Sequence, residues 1–209
     1  MSVKPARAYK SPQRDEQANA TRRCIIVAAG ELFAKSGFAA VTMQGVARHA
    51  GVSLATLYLY FPGKAALVAA LADDVVTSPD LSVEQVEHEG DPVEQLRTAA
   101  HIIRLVNERS WLVGDILRNA QGTNEGLATT WRLWQEGHLE GVRRGMTSLA
   151  SHAALRSTLT FDEAVDTIYA LAGTDVYRAL VRERGWSPEQ YERWLFGVAC
   201  RELLGQPAY

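Results

Sequence analysis

The residues with the most chemical content lie in one short stretch, TMQGVARHAGVSLATLYLYFPGK, from Thr42 to Lys64. Two helix-compatible segments flank a Gly-containing turn there, the spacing of a helix-turn-helix. Thr42 and Lys64 each stand at the start of a predicted helix, where free N–H groups and the helix dipole favour a phosphate. Tyr58 and Tyr60 carry hydroxyls that reach a nucleic-acid backbone, and Leu54, Ala55 and Thr56 open the second helix, where side chains meet base edges. Each residue also has a local reading, with Thr42 as a cap, the tyrosines as packing groups and Lys64 as a surface charge. Together, at this spacing, they favour duplex DNA.

The charge distribution points the same way. Residues 1–70 contain nine Lys/Arg against three acids, a net +6, whereas the remaining residues contain 13 against 21, a net −8. A basic head facing a polyanion and an acidic body facing something else account for this split; a solvated basic face is the plain alternative.

The elements that must position these groups are helical. Ile25, Ala28, Ala29, Leu32 and Phe33 form one apolar stripe that Gly37 stops. Its start is open: Ser11-Pro12 or Asp15 caps it, or residues 1–20 form a loose basic arm. Thr42 and Ser53 cap the next two helices, with Gly51 between them, and a fourth begins at Lys64 after Phe61-Pro62-Gly63. A loop from Thr77 to Asp80 precedes the strong start Asp91-Pro92-Val93-Glu94. Beyond it the patterning predicts a helix to about Val106, a shorter one over Trp111–Ala120, and a long one over about Glu125–Leu149. Two more open at the capping boxes of Thr160 and Ser187, with Gly173 a kink inside the first. The expectation is an all-α chain of about nine helices, with a head over 21–65 and a helical body over 66–209.

The head strongly resembles the DNA-binding domain of TetR/AcrR-type transcriptional regulators. The resemblance rests on Ile25-x-x-Ala28-Ala29-x-x-Leu32-Phe33-x-x-x-Gly37-Phe38, Thr42, Val46-Ala47, Ala50-Gly51-Val52-Ser53, Thr56-Leu57-Tyr58 and Phe61-Pro62-x-Lys64-x-x-Leu67. The body resembles one subgroup through Tyr177-Arg178, Leu180, Arg182-Glu183-Arg184-Gly185-Trp186-Ser187-Pro188, Tyr191, Trp194 and Leu195. This similarity implies a homodimeric repressor on a palindromic operator, released by a small apolar or amphipathic effector. By position it implies backbone contacts from Thr42, Tyr58, Tyr60 and Lys64 and base reading from Gln44, Leu54, Ala55 and Thr56. Leu54 and Ala55 depart from the polar residue and Gly common there. They suit thymine methyls, leaving Gln44 and Thr56 as polar readers. A dimer interface built from the last two helices is implied for Phe161, Ile168, Leu180, Trp186, Tyr191, Trp194, Leu195 and Val198. Of these, Trp186, Tyr191 and Trp194 read from the sequence as interface or corner packing.

Trp111, Trp131, Trp134, His138 and Tyr169 either line an apolar ligand pocket or pack as core. His101, beside Arg97 on a polar face, is expected in solvent. The chain contains no G-x-G-x-x-G, P-loop, H-E-x-x-H or G-x-S-x-G and no paired Cys motif, so neither enzyme, cofactor nor metal site is expected. Cys24 and Cys200 read as buried thiols. The longest apolar run, residues 65–72, is too short to span a bilayer, and the basic start leads into Asp15-Glu16, so a cytoplasmic protein is expected. A helical interaction protein that keeps this fold without ligand-controlled DNA binding is the alternative.

Overall fold

A computed structural model describes residues 12–122 and 124–205, and all regular structure among them is helical. The chain divides into two compact units after Leu67.

In the first unit, α1 spans Pro12–Ala40, α2 Met43–His49 and α3 Leu54–Tyr60, and α4, Lys64–Val76, begins there and continues into the second. Helix α1 starts at Pro12, so residues 12–20 are helix rather than a loose arm; residues 1–11 lie outside the described residues. Within α1 the backbone breaks at Gly37 (φ 75°), the predicted stop, because a left-handed residue without a Cβ ends the helical ladder there. Ile25, Ala29, Phe33, Val46 and Leu57 form the buried centre of the unit. Cys24 is exposed, a correction: it falls off the inward stripe that Ile25 and Ala28 define.

In the second unit, α5 is Glu84–Glu87, α6 Pro92–Ala120, α7 Glu125–His152, α8 Phe161–Ala172, α9 Thr174–Tyr177 and α10 Pro188–Ala199. Three differences from expectation concern continuity. The loop expected over Thr77–Asp80 runs into a 3-10 turn, Pro79–Leu81, and α5, whose Val86 is buried, follows before Asp91. The two predicted segments over 93–120 are one helix of 29 residues. The helix runs on through the polar stretch Asn107-Glu108-Arg109-Ser110, where Asn107 is buried and its Nδ2 donates to Ala172 O (2.9 Å) and Tyr191 Oη (3.2 Å). Gly173 (φ −66°, ψ 152°) separates α8 from α9 instead of kinking one helix.

The caps follow the sequence closely. Asp91 accepts from the N–H groups of Val93 and Glu94. Thr160 and Glu163 form both halves of a capping box, whereas at Ser187 the bond seen is the one half, Ser187 Oγ accepting from Gln190 N–H. Glu192 on α10 receives Arg104 Nε at 2.6 Å and His101 Nδ1 at 3.2 Å, so His101, though exposed, is paired.

The expected interface residues differ in burial. Ile168, Tyr191 and Leu195 are 8%, 0% and 1% exposed and belong to the core of this unit. They lie on the inward stripes of α8, which packs on α7, and α10, which packs on α6. Phe161, Leu180, Trp186, Trp194 and Val198 keep partial exposure. Trp186 and Trp194 meet edge to face at 6.1 Å.

Candidate nucleic-acid interface and body cavity

The turn between α2 and α3 is built by local chemistry. Gly51 adopts φ 68°, which lets Val52 N–H reach Ala47 O (3.0 Å) and Gly51 N–H reach Arg48 O (3.3 Å), a Schellman closure. Ala47 is buried at the contact, and a Cβ on Gly45 would lie 3.2 Å from Thr42 Oγ1. Leu57, fully buried, anchors α3 and turns its opposite side outward.

That outward side carries three of the predicted contact residues, Leu54, Ala55 and Tyr58. Gln44, Leu54, Ala55 and Tyr58 are exposed, and Leu59, which sequence reasoning left out, is 86% exposed. Thr42 is exposed and its Oγ1 accepts from Gly45 N–H at 3.1 Å, which leaves its hydroxyl proton free to donate. Thr56 is half-buried, its hydroxyl 2.7 Å from Ser53 Oγ, so part of its hydrogen-bonding capacity is used in capping α3. Tyr60 is half-buried beside Phe61.

Lys64 is placed less freely than its spacing suggests. Its Nζ donates to Phe38 O (2.9 Å) and Ala39 O (3.3 Å) and sits 4.6 Å from the Phe38 ring centroid. The ammonium therefore holds the turn that follows Gly37.

The second unit holds a partly open cavity of about 790 Å³. Trp131, Trp134 and His138 from α7 and Tyr169 from α8 line it. Trp111 does not. It packs against the core on another face of α6, with the Arg182 guanidinium 4.6 Å above its ring. Sequence reasoning missed the polar lining: Gln95, Asn107 and Ser110, all buried on α6. Their signal was present, since Asn107 and Ser110 continue the Ile103–Val106 face at helical spacing.

His138 stacks on Tyr169 with ring centroids 4.7 Å apart, and Tyr169 Oη receives Gln135 Nε2 at 2.8 Å. Burial pushes the imidazole down to about 4, so it is neutral at pH 7. The unfolded chain takes up this proton near the ordinary 6.5, hence between those values it binds more protons than the folded chain. Stability is therefore full above the ordinary value and falls as pH drops toward the folded one. The expected loss is on the order of 2–3 kcal/mol, and His138→Phe should flatten it in urea titrations at pH 7, 5 and 4. The Asp80 carboxylate, held at about 2 by hydrogen bonds from Arg109 and Ser78, loses its contribution only below this window.

Comparison with known proteins agrees with this geometry. The family model described as "Bacterial regulatory proteins, tetR family" matches residues 25–71. The chain is 31% identical over 182 residues to the uncharacterized HTH-type transcriptional regulator YdeS of Bacillus subtilis (strain 168), covering 80% of this chain and 81% of YdeS. It is 27% identical over 197 residues to the HTH-type transcriptional regulator TtgR of Pseudomonas putida, covering 91% of this chain and 87% of TtgR. Its fold matches that of the SmeT–triclosan complex with a TM-score of 0.71 at 20% identity, over 88% of this chain and 91% of that one. With a helix-turn-helix whose second helix turns an exposed side outward, the chain belongs to the tetR family of bacterial regulatory proteins and is a transcriptional regulator with an N-terminal DNA-binding domain.

Proposed function

We propose that the protein is a cytoplasmic homodimeric repressor that grips a palindromic operator through α3 of each head and releases it when a small apolar or amphipathic molecule fills the body cavity. The observation that carries this is the outward side of α3, with Leu54, Ala55 and Tyr58 exposed around a buried Leu57. Gln44 and Thr56 supply the polar base contacts, Leu54 and Ala55 the thymine methyl contacts, and Thr42, Tyr58, Tyr60 and the start of α4 the phosphate contacts. Triclosan in the SmeT complex is a small, largely apolar molecule, the kind of occupant the cavity here suits. Val75 and Val76, at the end of α4, line that cavity. An occupant pressing on them displaces the helix that leads from the head, and two heads held about 34–36 Å apart then lose register with successive major grooves.

The test is duplex binding to the region upstream of the protein's own gene, followed by fluorescence anisotropy over a salt series. Each phosphate contact neutralised by a cationic group should add about −0.9 to the log-log slope of affinity against salt. A flat salt dependence, or no binding, would leave the helical interaction protein as the better reading.

A further inference from the structure

The cavity has an unusual polar inventory. Gln95 is 1% exposed and lines it, yet neither its amide nitrogen nor its amide oxygen has a hydrogen-bond partner; Ser110, fully buried and also lining it, has an unpartnered Oγ. Buried polar groups without partners are rare and destabilising, so two on one helix face of one cavity mark places for a ligand's atoms. They stand fifteen residues apart on the unbroken α6, about 22 Å along its axis. Aliphatic side chains such as Ile103, Val106 and Val142 line the interval. Both residues and the side chains between them line the same cavity of about 790 Å³.

The buried part of the described lining is uncharged. The charged lining residues are exposed, as Glu84, Glu140, Arg144 and Asp175 are, or paired, as Arg118 is with Asp175. Arg118 further lies 5.5 Å above the Trp131 ring, so a cationic ligand seeking that aromatic face meets a like charge. His138 is neutral and offers an anion no countercharge.

We infer that the cavity takes an elongated, uncharged molecule bearing a hydrogen-bonding group at each end, one bound by the Gln95 amide and the other by the Ser110 hydroxyl. The inference rests on the reading of this cavity as the effector site and names its ligand class. Dodecane-1,12-diol is a suitable probe, because its extended length of about 16 Å plus a hydrogen bond at each end spans the interval.

The test titrates the full-length protein with this diol, 1-dodecanol, dodecanoate and dodecyltrimethylammonium, followed by calorimetry and by fluorescence of Trp131 and Trp134. The diol should bind at least tenfold more tightly than each of the other three. Gln95→Leu and Ser110→Ala should each bring the diol to the affinity of the mono-alcohol. Without ligand, Gln95→Leu should melt higher than wild type, since it removes an unpaired buried amide; this also shows that the variant folds. A charged chain binding as tightly as the diol, or a diol preference that survives both substitutions, overturns the inference. Operator affinity measured in the same samples separates the two readings. Diol selectivity with unchanged operator binding supports the ligand class and overturns effector control, whereas intact operator binding with no diol bound overturns only the ligand class.

Discussion

Ala55→Glu is expected to abolish operator binding while leaving the protein folded. Ala55 is exposed in the first turn of α3, and the substitution buries nothing. An acid in the first turn of a helix interacts favourably with the dipole, so the melting temperature should hold or rise slightly. Against DNA the same carboxylate faces phosphates and the acceptor-rich edges of the major groove. A mismatch of this kind costs about 1–3 kcal/mol per contact, and the proposed symmetric dimer would incur it at both heads, so affinity should fall by about 10²- to 10⁴-fold. Anisotropy with labelled operator at fixed salt, beside a thermal melt, checks both halves. Affinity within threefold of wild type in a folded variant would mean that α3 does not enter the groove by its N-terminal turn.

The second large effect is expected at Asn107. This side chain ties three helices together: its Nδ2 donates to Ala172 O at the end of α8 and to Tyr191 Oη on α10, and Tyr191 Oη donates to Leu171 O. Asn107→Leu keeps the branched shape but strands the Ala172 carbonyl and removes one partner of the Tyr191 hydroxyl. Leaving buried groups unsatisfied costs about 1–3 kcal/mol each, so a loss of about 2–4 kcal/mol is expected in urea unfolding. Tyr191→Phe alone should cost less, because Asn107 retains Ala172 O. The double variant should fall short of the sum, since both substitutions remove the same bond. Strict additivity would show that the two side chains are not coupled.

Much of the head was legible without coordinates because its determinants are local. Thr42, Ser53, Gly51 and Pro62 each act on their own backbone or on groups within five residues, so type and spacing suffice to place the caps and the turn. The capping box of Thr160 and Glu163 and the start at Asp91-Pro92 were legible for the same reason. Lys64 shows where that legibility stops: its position opening α4 is local, but the carbonyls that receive its ammonium lie 25 and 26 residues earlier, at Ala39 and Phe38.

The amino-acid sequence by itself determined the helical class, the two-helix reading unit, the basic head and the acidic body, all of which depend on periodicity, capping chemistry and charge. Tertiary structure decided what each apolar stripe meets. It put Tyr191 and Leu195 in the core of the second unit, moved Trp111 off the cavity, fused α6 across its polar run, and left Gln95 and Ser110 facing the cavity without partners. The physical reason is that helical periodicity specifies the buried side of an element, whereas the identity of the neighbour covering it depends on packing between residues tens of positions apart.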